Sequence, residues 1–280
     1  MALETSTQIE LTMSDSDFER VSELAYLYTG IVFVKQKKDM VYRRLSGRLR
    51  ELELQGMAAY FPLIDNENKP EVSNFINAIS TNLSSFFSEL HHFEFLAKKL
   101  CAQWKSENSQ TKKIRIWSAG CSTGEEPYSI AMTLKENINL KGWNCEILAT
   151  DLDSELIVKG RHGVYALDSI GPHGLERKEQ WFLTDGNNPG VVKVKPELQE
   201  MIEFKCLNLL DVWPSNDPLD LIFCRNVALY FNKPGQKILF DRFADALKVG
   251  GYLVIGHSEK LDSTCQRFRL VGKTIYQKIN

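Results

Sequence analysis

No apolar stretch in the sequence approaches the roughly 20 residues that a membrane-spanning helix requires, so no membrane insertion is expected. The first residues lack the basic and then apolar layout of a secretory signal, which favours a cytoplasmic location. The six cysteines include no C-x-x-C pair, so we expect reduced thiols rather than disulfides and predict no metal site.

Neither sign of charge is in large excess. The 280 residues carry 34 basic and 36 acidic side chains, a net charge of −2, so no nucleic-acid partner is expected. With 43% hydrophobic and 25% charged residues, the composition is typical of a soluble globular protein and excludes wholesale disorder. The length allows one large domain or two domains of ordinary size. We also expect the protein to be a monomer.

The N-terminal part of the chain has the periodicity of helices. A stripe that includes Leu45 and Leu49 predicts a helix over residues 37–54. We assign residues 1–85 to a helical domain and residues 86–112 to a connecting helix and linker.

In the rest of the chain, strands alternate with helices, which predicts an α/β fold with a mostly parallel sheet. We assign residues 113–280 to one domain, with an inserted β-subdomain at about residues 160–204. Within the insert, residues 191–194 and 201–204 have the pattern of the two strands of a hairpin. Residues 268–278 are predicted to form one final antiparallel strand.

The strongest local pattern is a strand, a glycine-containing loop and a helix over residues 117–129. Such a loop lies at the carboxyl end of the first strand, where open α/β sheets bind ligands. It is not a dinucleotide fingerprint, because Ser122 replaces the second glycine, and it is not a P-loop. Glu125 and Glu126 would repel a pyrophosphate, which favours a neutral or cationic nucleoside. A tight turn with helix-capping acids is the alternative.

Two further strand ends carry polar residues. Asp151 ends the second strand, where a carboxylate can accept hydrogen bonds from ribose hydroxyls, although an Asp after a strand can also cap the next helix. Residues 219–224 form an apolar strand that runs into Arg225 and Asn226, and Tyr230 follows about one helical turn later. Because the carboxyl ends of parallel strands meet at one edge of a sheet, these residues are expected to line one crevice.

Several motifs of the sequence, and their order along the chain, resemble those of the CheR-type chemotaxis receptor methyltransferases. The resemblance covers nearly the whole chain and lies in residues 81–87, 118–129, 149–153, 223–231 and 256–259. It implies a Rossmann-like class I methyltransferase domain, an all-helical N-terminal domain and a small inserted β-subdomain. It also implies methyl transfer from S-adenosylmethionine, giving S-adenosylhomocysteine, to glutamates in the cytoplasmic helical domain of methyl-accepting chemotaxis receptors.

The resemblance also assigns roles to residues at matching positions. Cofactor contacts are implied for Asn82, Ser84, Ser88, Gly120, Glu126, Asp151, Asn208, Leu209, Arg225 and Asn226. Tyr230 would lie near the transferred methyl group, and Arg225 and position 88 would also belong to the active site.

Position 88 departs from the family pattern. The family motif usually reads Phe-Phe-Arg where this chain has Phe86, Phe87 and Ser88. A serine cannot offer the charge or the bidentate geometry that orients a carboxylate. Either a neighbour such as Arg225 compensates, or the chain is a non-catalytic or altered-specificity CheR-like module that binds the cofactor and the receptor.

Basic residues are concentrated in the predicted second helix. Together they form the candidate receptor-docking face: Arg43, Arg44, Arg48 and Arg50. Arg44 and Arg48 are four residues apart and share a helix face. An ordinary solvated face is the alternative interpretation.

Two other enzyme classes share part of the pattern. An NAD-dependent oxidoreductase would share the α/β fold, but the glycine spacing is wrong for it. A nucleic-acid methyltransferase would need a basic surface and a pocket for a flipped base, which the negative net charge does not favour.

Overall fold

The computed structural model describes residues 13–65, 69–80, 84–186, 188–214, 217–262 and 265–280. The chain divides into two compact units, Met1–Thr81 and Asn82–Asn280. None of the helices in these ranges is long and apolar enough to cross a membrane.

The N-terminal unit is helical. Its described residues form α1 (Asp15–Thr29), α2 (Lys38–Glu51), α3 (Met57–Asp65) and α4 (Lys69–Ser80). A capping box starts α1: the Asp17 amide donates to the Ser14 hydroxyl at 3.0 Å, and the Ser14 amide donates to the Asp17 carboxylate at 2.9 Å. Gly30, in the left-handed conformation with φ 73°, ends α1.

Among the described residues of this unit, the core is apolar apart from four buried polar side chains: Thr29, Ser46, Glu71 and Asn77. Leu45 and Leu49 of α2 are fully buried, as the helical stripe predicts. The Glu71 carboxylate of α4 accepts hydrogen bonds from Arg48 at 3.0 and 2.5 Å and from the Tyr60 hydroxyl at 2.7 Å. Helix α3 was not predicted, because Pro62 lies inside it and proline usually interrupts helices.

The second unit begins with a helical stretch and continues as alternating strands and helices. The stretch consists of α5 (His91–Phe95), the π-helical Leu96–Leu100 and α6 (Cys101–Glu107). The later helices are α7 (Glu125–Asn137), α8 (Ser154–His162), α9 (Gly171–Glu176), α10 (Lys178–Trp181), α11 (Pro196–Gln199) and α12 (Lys233–Ala246). The strands are β1 (Lys113–Ala119), β2 (Asn144–Asp151), β3 (Val164–Ala166), β4 (Phe182–Asp185), β5 (Asn188–Val194), β6 (Ile202–Cys206), β7 (Leu219–Cys224), β8 (Leu247–Ile255), β9 (Phe268–Gly272) and β10 (Ile275–Lys278).

A seven-stranded sheet organises this unit, in the order β6-β2-β1-β7-β8-β10-β9. Strands β6, β2, β1, β7 and β8 are parallel, and β10 is antiparallel to both of its neighbours. The two faces of β1 contribute to different cores: Ile116 lies in the same buried cluster as Ile130 of α7, and Trp117 packs against Phe243 of α12 with ring centroids 5.5 Å apart. Helices therefore cover both faces, and the Rossmann-like α/β prediction is confirmed.

The predicted hairpin in the insert is wrong. Val191–Val194 of the sequence lie in β5, the centre of a separate three-stranded sheet in the order β3-β5-β4. Ile202–Cys206 form β6, which pairs in parallel with β2 at the edge of the large sheet. Both segments have the apolar pattern of strands, and that pattern does not reveal which sheet a strand joins.

The predicted single strand at the C-terminus is also wrong. Phe268–Gly272 and Ile275–Lys278 are two antiparallel strands, β9 and β10. Between them lies Thr274, which has the left-handed backbone conformation with φ 55°. Thr274 gives little sequence signal for a turn, because threonine rarely adopts this conformation.

Candidate active site

The glycine-containing loop after β1 packs tightly against the loop after β7. The Gly120 and Cys121 amides donate to the Thr150 carbonyl at 2.7 and 2.9 Å, which fixes the loop beside the end of β2. Gly120 has φ +88°, and a Cβ there would lie 2.3 Å from Val227 Cγ2. Only glycine satisfies both the conformation and the close approach. The loop is therefore built to bring backbone atoms close to the crevice.

Helix α7 begins directly after this loop, with two buried acidic residues. The Glu125 carboxylate accepts from the Thr123 hydroxyl at 2.7 and 2.8 Å and hydrogen-bonds the Ser84 side chain. Burial raises the pKa of Glu125, against the opposing effect of these hydrogen bonds. The predicted cofactor contact Ser84 thus lies beside the first turn of α7. The other predicted contact in this segment, Asn82, lies outside the described residues.

Glu126, the second acidic residue of α7, faces the end of β7. Its carboxylate accepts from the Ser118 hydroxyl at 2.6 Å and from Arg225 Nη1 at 3.0 Å. The side chains of Glu126 and Arg225 are only 9% and 5% exposed. Burial raises the pKa of Glu126, and the positive charge of Arg225 opposes that shift. The structure therefore brings two predicted site residues into one buried ion pair.

The two aspartates after β2 have different roles. Asp153 caps α8, because its Oδ1 accepts from the Glu155 and Leu156 amides at 2.8 and 3.3 Å. Asp151 accepts from the Ser122 amide at 2.8 Å and the Asp153 amide at 3.0 Å. Each Asp151 oxygen keeps further lone pairs for a ligand hydroxyl. The residue that caps α8 is therefore Asp153 and not Asp151.

Asn208 and Leu209 lie in the loop after β6, beside Asp151. The Leu207 amide donates to the Asp151 carbonyl at 2.8 Å. The Leu209 carbonyl accepts from Trp213 Nε1 at 3.1 Å and from Arg242 Nη1 at 2.5 Å. Leu209 itself is buried. Arg242 of α12 and Trp213 of the loop itself thus fix the backbone at Leu209.

The loop after β7 carries Arg225, Asn226 and Tyr230, and a buried carboxylate from another segment fixes it. Glu259 accepts from the Asn226 amide at 3.0 Å, the Leu229 amide at 3.1 Å and the Gly256 amide at 2.6 Å. Burial raises the pKa of Glu259, and these amide hydrogen bonds act in the opposite direction. Sequence reasoning placed Glu259 in a family motif but gave it no role, because no local pattern announces a carboxylate that binds a distant loop.

Ser88 lies in the turn before α5, and its amide donates to the Ser85 carbonyl at 3.4 Å. The next residue, Glu89, was missed by the sequence analysis. Its carboxylate lies 3.3 Å from Arg225 Nη2 and 3.4 Å from His257 Nδ1. Arg225 is therefore held between two carboxylates, Glu89 and Glu126.

His92 is fully buried, and its Nδ1 lies 3.8 Å from the Glu89 carboxylate of this ion-pair network. Its Nε2 lies 2.9 Å from the Thr274 hydroxyl. Burial lowers the pKa of His92 far below its usual range, and the nearby positive charge of Arg225 adds to this shift. His92 is therefore neutral at pH 7.

The four arginines of the candidate docking face fall into two groups. Arg44 donates to the Ile79 carbonyl at 2.5 Å, and Arg48 binds Glu71 inside the N-terminal unit. Arg43 and Arg50 are exposed. Half of the predicted face thus contributes to the packing of α2 against α4.

Most of the chain matches two domain descriptions of one protein family. Residues 16–80 match the all-alpha domain of CheR methyltransferases, and residues 82–277 match the SAM-binding domain of CheR methyltransferases. The chain belongs to the CheR methyltransferase family. Its Rossmann-like unit is thus an S-adenosylmethionine-binding methyltransferase domain.

Similar proteins span almost the same length as this CheR family member. The chemotaxis protein methyltransferase of Salmonella typhimurium is 38% identical over 98% of this chain and 95% of its own length. The Escherichia coli protein of the same name is 39% identical over 95% of this chain and 92% of its own. The chemotaxis protein methyltransferase 2 of Pseudomonas aeruginosa is 40% identical over 95% of this chain and 94% of its own.

Proposed function

We propose that this chain transfers a methyl group from S-adenosylmethionine to glutamate side chains of chemoreceptors, giving glutamyl methyl esters. The observation that carries the proposal is the convergence of the Glu126–Arg225 ion pair, Asp151 and the Gly120 loop at one sheet edge in a CheR family chain. The names of the relatives, chemotaxis protein methyltransferases, support the same assignment.

The residues at this edge of the sheet have the chemistry needed to bind S-adenosylmethionine, an adenosine-containing sulfonium compound. Asp151 has oxygens available to ribose hydroxyls, and the Gly120 loop allows close approach of backbone. The carboxylates of Glu125 and Glu126 suit the positively charged ammonium and sulfonium groups of the cofactor better than a pyrophosphate. We assign the cofactor contacts of Asn82, Ser84, Asn208, Leu209 and Asn226 to the same pocket as part of this proposal.

The proposed reaction needs no general base. A glutamate side chain has a reference pKa of about 4.3 and is already ionised at neutral pH. One of its oxygens forms a bond to the methyl carbon, and the electron pair of the broken carbon–sulfur bond stays on sulfur. The protein then has to align the reacting atoms and exclude water, and alignment alone can contribute roughly 7–11 kcal/mol. Arg225 is the side chain that we assign to carboxylate orientation in place of an arginine at position 88, and Tyr230 is placed beside the methyl group.

The N-terminal unit is proposed to dock the helical cytoplasmic domain of the receptor. Arg43 and Arg50 of α2 are exposed and seven residues apart, so they lie two turns apart on one side of the helix. This face would attract an acidic receptor helix.

The test is transfer of labelled methyl groups from S-adenosylmethionine to the cytoplasmic domain of a chemoreceptor. Esters formed on carboxylates release methanol in base, so we expect base-labile label that depends on receptor glutamates. The Asp151→Asn variant should bind S-adenosylhomocysteine at least about tenfold more weakly, whereas Asp168→Asn, the same change at an exposed position, should match the unmodified chain.

Two results would contradict the proposal in different ways. Tight binding of S-adenosylhomocysteine without any methyl transfer would favour the non-catalytic module. Base-stable label would instead mean that the acceptor is not a carboxylate.

A further inference from the structure

Three buried polar atoms without hydrogen-bond partners lie together at the start of α5. In the part of the chain that the structure describes, four buried side-chain atoms lack such a partner: Glu89 Oε2, His91 Nε2, His92 Nδ1 and Arg225 Nε. Glu89 Oε2 and His92 Nδ1 face each other at 3.8 Å. Each of Glu89, His91 and His92 offers a ligand atom within 4.8 Å of those of the other two. Buried polar atoms are normally paired, so this convergence calls for a partner.

The surrounding contacts fix these side chains while leaving the converging atoms available. The other oxygen of Glu89 faces Arg225 at 3.3 Å and His257 at 3.4 Å. The other ring nitrogen of His92 lies 2.9 Å from the Thr274 hydroxyl. Metal-ligating histidines usually have such a second hydrogen bond, which sets the ring orientation.

The charge of the cluster also favours a cation. Two carboxyl groups, those of Glu89 and Glu126, lie beside the one guanidinium group of Arg225. All three side chains are at most 13% exposed. An excess negative charge in such a poorly solvated place is costly, and a bound cation relieves that cost.

We propose that Glu89, His91 and His92 form a binding site for a divalent transition-metal ion such as Zn²⁺. Two imidazole nitrogens and one carboxylate oxygen are ligands that suit zinc and cobalt rather than magnesium or calcium. Ligand atoms of a tetrahedral zinc ion lie about 3.3 Å apart. Side-chain rotations that move the ligand atoms by about 1 Å would therefore bring them to this spacing. No metal site was predicted from the sequence, because the six cysteines include no C-x-x-C pair.

The test is a titration of the 280-residue chain with Co²⁺, monitored by visible absorption. We expect binding of one ion per chain with no thiolate charge-transfer band, which separates this cluster from the six cysteines. The His91→Ala variant should bind Co²⁺ at least about tenfold more weakly. His173→Ala is the matched control, because His173 also lies beside a carboxylate, Glu176 at 3.2 Å, but is not part of the cluster.

A second measurement is a crystal of the chain soaked in Zn²⁺, with an anomalous difference peak expected among the three side chains. The proposal is overturned by the absence of one-to-one binding, by equal binding in the His91→Ala variant, or by a water molecule without anomalous signal at the cluster. The proposal does not rest on the methyl-transfer function, since S-adenosylhomocysteine binding by the metal-free chain reports on that function separately.

Discussion

Single residues position the candidate site by contacts that reach far along the chain. Glu259 holds the loop after β7 through the Asn226 and Leu229 amides, and Glu126 holds Arg225 from the start of α7. Asp153 caps α8 and so leaves Asp151 for a ligand. The site therefore depends on buried carboxylates that act on the backbone as much as on the residues that would touch the ligand.

Replacing Glu259 by Gln should loosen the loop that carries Arg225, Asn226 and Tyr230. The amide nitrogen of Gln cannot accept a hydrogen bond, so at least one buried backbone amide loses its partner, at a cost of about 1–3 kcal/mol. Urea unfolding should show this loss, and the affinity for S-adenosylhomocysteine should fall about tenfold or more. Glu94→Gln is the control, because Glu94 is exposed and its carboxylate pairs with Lys98 at 3.2 Å. Equal behaviour of the two variants would refute a positioning role for Glu259.

Gly120→Ala should destabilise the chain through a clash with Val227. The new Cβ would lie 2.3 Å from Val227 Cγ2 but 3.5 Å from Val227 Cβ. Overpacking of this kind costs about 1–3 kcal/mol. The double variant Gly120→Ala, Val227→Ala should relieve the clash, because it removes Val227 Cγ2, but it should keep the backbone strain at φ +88°. Strictly additive free energies of unfolding in this cycle would show that the two residues do not press on each other.

At the scale of elements, α2 has two roles on its two sides. Its inner side supplies Leu45 and Leu49 to the core and Arg48 to the buried carboxylate of Glu71. Its outer side presents Arg43 and Arg50. Periodicity predicted the apolar side of this helix correctly, but it could not separate the arginines that pack from those that face solvent, because Glu71 lies on a different helix.

The stability of the N-terminal unit should depend on pH through Glu71. Burial alone would raise the pKa of Glu71, but hydrogen bonds from Arg48, Tyr60 and Asn74 outweigh it, and the net shift is downward. A carboxyl with a lowered folded-state pKa stabilises the fold above its unfolded value of about 4.3, and this stabilisation is lost as the pH falls through the folded-state pKa.

The Glu71→Gln variant should therefore be less stable than the unmodified chain at pH 7, by about 1–3 kcal/mol, and the difference should shrink below about pH 4. Denaturant unfolding of the full chain, followed by helical circular dichroism, measures it. Glu51→Gln is the control, since Glu51 pairs with the same Arg48 but is 68% exposed. A difference that does not change with pH would argue against the ionised carboxylate as the source.

Reversing the charges of Arg43 and Arg50 to Glu tests the docking face. Electrostatic attraction to an acidic receptor helix is screened by salt, so methyl transfer should fall most at low ionic strength. Affinity for S-adenosylhomocysteine should not change. Lys98→Glu, an exposed charge reversal in the other unit, is the control. If transfer falls equally in both variants, net charge rather than this face of α2 explains the loss.

For the whole molecule, the sequence predicted the architecture better than the connections within it. Alternating strands and helices predicted the parallel sheet, and β7 matches its predicted bounds, Leu219–Cys224. The pairing of β6 with β2 was missed, because strand partners depend on contacts far apart in sequence. The site followed the same rule: strand ends identified Asp151 and Arg225, but Glu89 and Glu259 act across loops and gave no local signal.

We propose that the crevice at the carboxyl ends of β1, β2 and β7 binds S-adenosylmethionine and not a dinucleotide. Calorimetric titration of the full chain with S-adenosylhomocysteine, with NAD in parallel, tests it without any receptor. We expect saturable one-to-one binding of S-adenosylhomocysteine and no heat from NAD. Binding of NAD, or of neither compound, would contradict it.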